Sequence, residues 1–189
     1  MPACALLVID MLKDFARWPG LSERVARVVP RIRELADFAR SLGVPVIYAN
    51  DSHFPNVDRE FRLWGPHAVK GTEGAEVLDE LRPRPGDFVV EKRRYSAFFE
   101  TTLDTLLREL GASALVLTGI YTNVCVLHTA ADAYYRGYDI VVVRDAVEAT
   151  SDGEQEWALN YMKKVYGAQV MGLGEAEEFL RARCGSSRG

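Results

Sequence analysis

Three residues that can act together in covalent catalysis stand far apart in the chain. Asp10 follows the apolar run Ala5–Ile9, Lys92 follows the mainly apolar run 87–91, and Cys125 lies just beyond a third run. A thiol is a nucleophile, a carboxylate can take its proton and pass it to a leaving group, and an ammonium group stabilises a thiolate. These residues would supply the nucleophile, base and cation of one catalytic site if the fold brings them together.

Cys125 occupies a position that favours chemistry. The run Ala114–Thr118 predicts a buried strand, and the turn after it contains Thr122 and Asn123, either of which can cap the next helix. Cys125 then falls in the first helical turn, where free N–H groups and the helix dipole favour a thiolate. The alternative is that Cys125 is only a small buried apolar residue.

Helix ends, glycines and strands alternate along the chain, which predicts a mostly parallel sheet. The junctions are Leu42-Gly43-Val44, Leu110-Gly111-Ala112, Arg136-Gly137-Tyr138 and Tyr166-Gly167-Ala168. Glycine ends helices in the left-handed conformation, and this order is typical of βαβ units. We therefore expect an α/β fold of three layers, α/β/α, with a doubly wound sheet of about six strands.

Ligands bind beyond the carboxyl ends of the strands in such a sheet. The pattern delivers Asp10, Lys92 and Cys125 to that one edge. For Asp10 and Lys92 alone, an ordinary buried or peripheral salt bridge would be the simpler interpretation. Together with a thiol at the same edge, the three residues favour a catalytic interpretation.

A candidate metal site follows the second predicted strand. Asp51 and His53 are alternate residues of an extended strand end, so both side chains can reach one ion. His67 lies in the same long, irregular segment. Two imidazoles and a carboxylate with open positions suit zinc, iron or manganese. The alternative is a pair of surface loop histidines.

His128 follows Cys125 by one helical turn and invites a Cys–His dyad. We favour the alternative, a histidine packed beside the sheet and deeper than the nucleophile, because Asp10 and Lys92 already fill the base and cation roles.

Composition limits the class of protein. The 189 residues predict a single domain over 1–184, with a long metal-site loop at 52–86 and a disordered tail at 185–189. A net charge of −4 makes nucleic acid an unexpected partner, and no segment approaches the length of a membrane span. Three cysteines without metal-type spacing suggest a reducing compartment, so we expect a cytoplasmic protein in which Cys4 and Cys184 are inert.

Several motifs resemble the isochorismatase-like cysteine hydrolase superfamily and, within it, the nicotinamidases. The superfamily motifs are Val8-Ile-Asp-Met-Leu-Lys-Asp-Phe15, Val90-Glu-Lys92 and Thr118-Gly-Ile-Tyr-Thr-Asn-Val-Cys-Val126. Asp51-Ser-His53, together with Trp64-Gly-Pro-His67 and the residues up to Glu76, is similar to the metal-site pattern of nicotinamidases.

The resemblance implies specific roles for these residues. Cys125 would be the nucleophile, Asp10 the base and Lys92 the third member of the triad. Asp51, His53 and His67 would hold a divalent metal, zinc with iron or manganese as alternatives. A cis peptide is implied between Ile120 and Tyr121, with the N–H groups of Tyr121 and Cys125 forming an oxyanion hole. Phe15 and Trp64 would form aromatic walls of the substrate pocket.

The implied activity is hydrolysis of nicotinamide to nicotinate and ammonia through a thioester, within pyridine nucleotide salvage. The implied partner is therefore a small-molecule amide, and we expect a homo-oligomer because relatives are often dimers or tetramers. Leu12, Lys13 and Tyr121 depart from the usual motifs, and Tyr121 could reshape the pocket. The alternatives are a related hydrolase of another small amide or carbamoyl compound and a non-catalytic metal-binding protein of the same fold.

Overall fold

The computed structural model describes residues 4–184, and the predicted tail at 185–189 lies outside them. One parallel sheet runs through this part of the chain in the order β3-β2-β1-β4-β5-β6. Its strands are β1 Cys4–Ile9, β2 Val46–Asp51, β3 Phe88–Lys92, β4 Ala114–Ile120, β5 Asp139–Glu148 and β6 Gln169–Met171. The predicted doubly wound sheet of six strands is confirmed.

Seven α-helices accompany the sheet in the described residues. They are α1 Lys13–Ala16, α2 Ser22–Ser41, α3 Phe61–Trp64, α4 Leu103–Glu109, α5 Leu127–Tyr135, α6 Asp152–Tyr166 and α7 Leu173–Cys184. The four predicted helix-ending glycines, Gly43, Gly111, Gly137 and Gly167, all have positive φ, between 64° and 81°. No helix within residues 4–184 is long and apolar enough to cross a membrane.

The central strand β1 shows why the sheet has helices on both faces. All six of its residues are buried. Leu6 and Val8 belong to the apolar cluster formed with α2 and α7, whereas Leu7 and Ile9 belong to the cluster formed with α4, α5 and α6. Alternate residues of a strand point to opposite faces, so a strand covered on both sides must be apolar throughout. The predicted three-layer architecture follows from this pattern.

The chain winds outward in two directions from the centre of the sheet. After β1 it moves to β2 and β3 on one side, and from β4 it moves to β5 and β6 on the other. A crevice therefore opens beyond the carboxyl ends of β1 and β4, where the strand order reverses. Asp10 leaves β1 at this point, and Cys125 follows β4.

The segment between β2 and β3 is folded back on the end of β2. It contains α3 and two 3₁₀ turns, Glu73–Ala75 and Asp79–Leu81, in place of the single helix that the sequence predicts over 75–81. The N–H of His53 donates to the carbonyl of Ala68 at 2.9 Å, and the N–H of Lys70 donates to the carbonyl of His53 at 2.9 Å. These bonds bring the middle of the segment beside His53.

Cys4 and Cys184 form a disulfide, so the prediction that they are inert is wrong. The bond joins the first residue of β1 to the last residue of α7, whose Cα atoms lie 6.0 Å apart. The sequence gives no sign of the pairing because 180 positions separate the two residues. Cys125 is the one free cysteine of the described chain. The cysteine count therefore does not support a reducing compartment.

Reduction of this disulfide is expected to lower thermal stability without changing the active site. Closing a loop of 180 residues removes chain entropy from the unfolded state worth about 5 kcal/mol in the simplest treatment. At 2–4 °C per kcal/mol, this corresponds to a fall in melting temperature of roughly 10–20 °C. Calorimetry with and without a phosphine reductant measures the shift. Cys184→Ala serves as the control, and a reductant effect of the same size in that variant would contradict the assignment.

Candidate active site and metal centre

Lys92 stands at the centre of a buried polar cluster. Its Nζ lies 2.7 Å from Asp10 Oδ2 and 2.6 Å from Asp51 Oδ1, and it donates to Cys125 Sγ at 3.5 Å. All four side chains are buried. The strand ends thus bring the predicted triad together as expected. Asp51, predicted as a metal ligand, also contacts the lysine of this triad.

The backbone at the end of β1 positions Asp10. The residue has a φ of 53°, which turns the chain away from the strand direction. Asp10 Oδ1 accepts from the N–H of Asp51 at 2.7 Å, so the carboxylate is tied to the end of β2 as well. Gly119 of β4 passes against the same point with a φ of 106°, and a Cβ there would lie 2.0 Å from the carbonyl oxygen of Ile9. Only glycine allows this close approach.

Cys125 lies in a π-helical turn, Thr122–Val126, that precedes α5. The carbonyl of Tyr121 accepts from the N–H groups of Val124 and Val126 at 2.9 and 3.2 Å. The prediction that Thr122 or Asn123 caps the helix is wrong, because the turn begins at Thr122 and Tyr121 precedes it without a side-chain cap. The cis peptide bond implied between Ile120 and Tyr121 is present.

Burial dominates the protonation of Cys125 and Asp10. It raises the pKa of Cys125 well above its usual value, against the opposing effect of Lys92. Burial and the negative charge of Asp51 raise the pKa of Asp10 to about 6. The pKa of Lys92 is also raised, because Asp10 and Asp51 outweigh burial. The helix start therefore does not suffice to keep Cys125 as a thiolate, and Asp10 is placed to take the thiol proton.

Four buried side chains form a candidate metal centre next to this cluster. The predicted Asp51, His53 and His67 are joined by Glu60, and one ligand atom from each lies within 4.8 Å of all the others. His67 Nδ1 lies 2.8 Å from the carbonyl of Gly65, which can only accept, so Nδ1 carries the proton and Nε2 keeps its lone pair.

The side chains of this centre fit a divalent cation. His53 Nε2 and Glu60 Oε1 are buried and have no hydrogen-bond partner within residues 4–184. Burial and the charge of Asp51 raise the pKa of Glu60 to about 7. Two imidazoles and two carboxylates are a donor set suited to zinc, iron or manganese, and such a cation would satisfy both unpaired atoms.

Glu60 was not among the predicted ligands. It lies between Asp58 and Phe61, outside the Asp-x-His spacing that identified Asp51 and His53. The available signal was the presence of further acidic residues in the same loop as the two histidines. That signal does not distinguish Glu60 from Asp58 before the loop path is known.

Aromatic side chains enclose a cavity of about 70 Å³ above Cys125 and Asp10. The predicted Phe15, Trp64 and Tyr121 line it, and so do Trp18 and Tyr95, which the sequence did not predict.

Contacts between the aromatic rings fix the walls of this cavity. The ring centroids of Phe15 and Trp18 are 5.8 Å apart in a stacked arrangement. Trp64 Nε1 donates to Tyr95 Oη at 3.0 Å, which fixes the indole at the entrance. Asp51, Glu60 and His67 also face the cavity. The cavity therefore connects Cys125 and Asp10 with the candidate metal centre.

His128 takes no part in this cavity. Its Nδ1 donates to the carbonyl of Val124 at 2.7 Å, and its ring packs against Tyr95 with centroids 5.3 Å apart. The residue is exposed, so the expectation that it lies deeper than the nucleophile is wrong. Its Nδ1 proton is used by the helix backbone, and it does not form the wall or floor of the site.

The fold and motifs agree with comparisons to known proteins. The chain matches the isochorismatase domain over residues 4–175. The crystal structure of N-carbamoylsarcosine amidase from Thermoplasma acidophilum is 44% identical, with a TM-score of 0.84 over 90% of this chain and 96% of that one. Nicotinamidase PncA from Bacillus subtilis is 37% identical, with a TM-score of 0.82 over 89% and 99% of the two chains. Pyrazinamidase of Pyrococcus horikoshii, solved in complex with zinc, is 28% identical, with a TM-score of 0.80 over 90% and 99%. The chain therefore belongs to the isochorismatase family and is a hydrolase of that family acting on amides.

Proposed function

We propose that this protein hydrolyses nicotinamide to nicotinate and ammonia. The observation that carries the proposal is that one small aromatic cavity joins Cys125 and Asp10 to the donor set of Asp51, Glu60 and His67. A pyridine carboxamide has a ring nitrogen at one end and an amide carbon at the other. The two centres offer a partner for each end, and aromatic walls suit the flat ring between them.

Cys125 acts as the nucleophile at the carboxamide, and Asp10 transfers the proton. Asp10 takes the proton of Cys125 Sγ as the sulfur attacks the amide carbon, and then delivers it to the departing ammonia. Water activated by Asp10 hydrolyses the resulting thioester. Lys92, held between Asp10 and Asp51, keeps positive charge beside the reacting sulfur.

The N–H groups of Tyr121 and Cys125 are the proposed oxyanion hole. Each donor aimed at the developing oxyanion is worth roughly 3 kcal/mol in the transition state. Cys125 lies in the turn directly after Tyr121, so both N–H groups belong to the segment that presents the nucleophile.

Asp51, His53, Glu60 and His67 would hold a divalent metal, zinc being the first choice and iron or manganese the alternatives. Bound there, the ion would offer an open coordination position to the pyridine nitrogen. The chain's own contribution is to hold the ring: Phe15 and Trp64 stack against it and direct the carboxamide towards Cys125.

A carbamoyl compound is the second candidate substrate. It is favoured by the 44% identity to N-carbamoylsarcosine amidase and by Tyr121, which departs from the usual nicotinamidase motif and lines the cavity together with Cys125. The same thiol chemistry would release ammonia from a carbamoyl group. Such a substrate has no ring nitrogen, so it would not use the metal centre as an anchor.

Comparison of nicotinamide with benzamide tests the proposed anchoring. Benzamide has the same shape but lacks the ring nitrogen, so we expect the wild-type protein to prefer nicotinamide by at least roughly 100-fold in kcat/KM. His53→Ala should remove most of that preference. Ammonia release from both amides and from N-carbamoylsarcosine is the measurement.

His128→Ala is the matched control, because this exposed histidine contacts neither centre. It should keep the wild-type preference. If wild-type protein treats the two amides alike, or releases ammonia fastest from the carbamoyl compound, nicotinamide is the wrong substrate.

A further inference from the structure

We propose that Asp58 is a positioning residue that holds His53 in the one tautomer able to bind a metal. The inference rests on the metal centre of the proposed function and adds a residue outside its ligand set. Asp58 is buried, with 4% of its surface exposed, although it lies in an irregular loop and carries a charge. A carboxylate in such a place requires partners.

Hydrogen-bond donors from four residues surround this carboxylate. Asp58 Oδ2 lies 3.2 Å from His53 Nδ1 and accepts from the N–H of Phe54 at 2.7 Å. Arg93 Nε donates to both oxygens, at 3.0 and 3.2 Å, and Arg94 Nη1 donates to Oδ1 at 3.4 Å. With two guanidinium groups against it, Asp58 is ionised and can only accept hydrogen bonds.

The charge of Asp58 decides which nitrogen of His53 is free. Because Asp58 only accepts, His53 Nδ1 must carry the proton that lies between them, and in the neutral ring the lone pair is therefore on Nε2. That nitrogen faces the other donors: it is 3.6 Å from Asp51 Oδ2 and 3.8 Å from Glu60 Oε2. A histidine with its proton on Nε2 could not bind the ion from this position.

The contact also ties the metal centre to the strand that carries the catalytic lysine. Arg93 directly follows Lys92 at the end of β3, and its guanidinium group lies over the ring of Phe54, 4.4 Å from the centroid. Arg93 therefore holds both Asp58 and the residue after His53. The geometry at His53 is set by β3 as well as by β2.

Asp87 provides a matched control. It is a second carboxylate with a buried side chain, 4% exposed, that accepts from a guanidinium group and a backbone N–H: Arg40 Nε and Nη2 donate at 3.1 and 2.7 Å, and the N–H of Arg84 donates at 2.7 Å. It contacts no histidine and does not face the cavity. Asp58→Asn and Asp87→Asn therefore remove comparable interactions, but only the first acts on His53.

Zinc binding to the metal-free full-length protein is the first measurement, made by competition with a chromophoric chelator. Asp58→Asn is expected to weaken zinc affinity by about 10–100-fold, the scale of lost outer-shell support. Asp87→Asn should stay within about twofold of wild type, and Asp58→Glu, which keeps the charge, should recover part of the loss. An unchanged affinity in Asp58→Asn, or an equal loss in Asp87→Asn, would overturn the inference.

Nitrogen-15 NMR of the histidine rings supplies a second readout, which is taken on the wild-type protein and needs variants only to assign the signals. The chain has three histidines, so His53→Ala and His128→Ala assign the signals. In the zinc-bound wild-type protein, His53 is expected to carry its proton on Nδ1, and a proton on Nε2 would overturn the inference. Wild-type protein that binds no zinc would remove the metal centre and this inference together, whereas normal binding with an unaffected Asp58→Asn removes the inference alone.

Discussion

Cys125→Ala is expected to reduce ammonia release from any amide substrate by on the order of 10,000-fold or more, the scale seen when a catalytic nucleophile is removed. The thiol is the strongest nucleophile among the side chains that line the cavity, and Asp10 and Lys92 lie beside it. The fold should persist, because alanine fits a small buried site and Cys125 makes no disulfide. Ammonia release, melting temperature and zinc content are the measurements.

Cys184→Ala is the matched control for this prediction. It removes a cysteine at the end of α7, far along the chain from the strand ends that form the cavity. We expect it to lower thermal stability and to leave turnover near wild type at 25 °C. Cys125→Ala retaining more than a few per cent of wild-type activity would exclude Cys125 as the nucleophile.

The convergence of the three candidate catalytic residues could be predicted because local signals determine it. Apolar runs mark the strands, and a glycine with positive φ ends four of the intervening helices, which indicates parallel strands whose carboxyl ends share an edge. Asp10, Lys92 and Cys125 are each attached to such an end within a few residues. Little tertiary information is needed to place them together.

The place of Glu60 in the site could not be predicted because long-range contacts set the path of its loop. The segment between β2 and β3 has no regular periodicity, and its path depends on bonds such as that from the N–H of Ala68 to Asp14 Oδ2, at 2.9 Å. Glu60 becomes a candidate ligand only when this path is known. Trp18 and Tyr95 likewise reach the cavity from segments that look like ordinary connections.

The length of strand β5 and the protonation of Cys125 are two further features that local sequence patterns did not predict. The sequence pattern ends the strand at Val143, since Arg144 and Asp145 are exposed and charged, but a register shift between Leu117 and Gly119 of β4 lets β5 pair on to Glu148. For Cys125, position at a helix start suggests a lowered pKa, whereas burial raises it. Burial depends on the whole fold, so a local motif does not reveal it.

Asp10→Asn is expected to lower kcat by roughly 100-fold or more, the scale of a lost acid–base group. Asparagine has nearly the same shape but cannot take the thiol proton, and burial leaves Cys125 as a thiol that needs a base. Asp10 must be ionised to act, and burial together with Asp51 raises its pKa to about 6. Wild-type kcat/KM should therefore be constant above that pH and fall about tenfold per pH unit well below it.

The pH profile separates a base from a merely structural carboxylate. In Asp10→Asn the fall of kcat/KM near pH 6 should disappear, because the group that causes it is gone, while Asp87→Asn, which alters a buried carboxylate that does not line the cavity, should keep it. Lys92, Asp51 and Cys125 are the charged and titratable groups that contact Asp10, and all three remain in the variant. An Asp10→Asn protein that is slow but still loses activity with the same midpoint would assign the fall to another group and would remove Asp10 from the role of base.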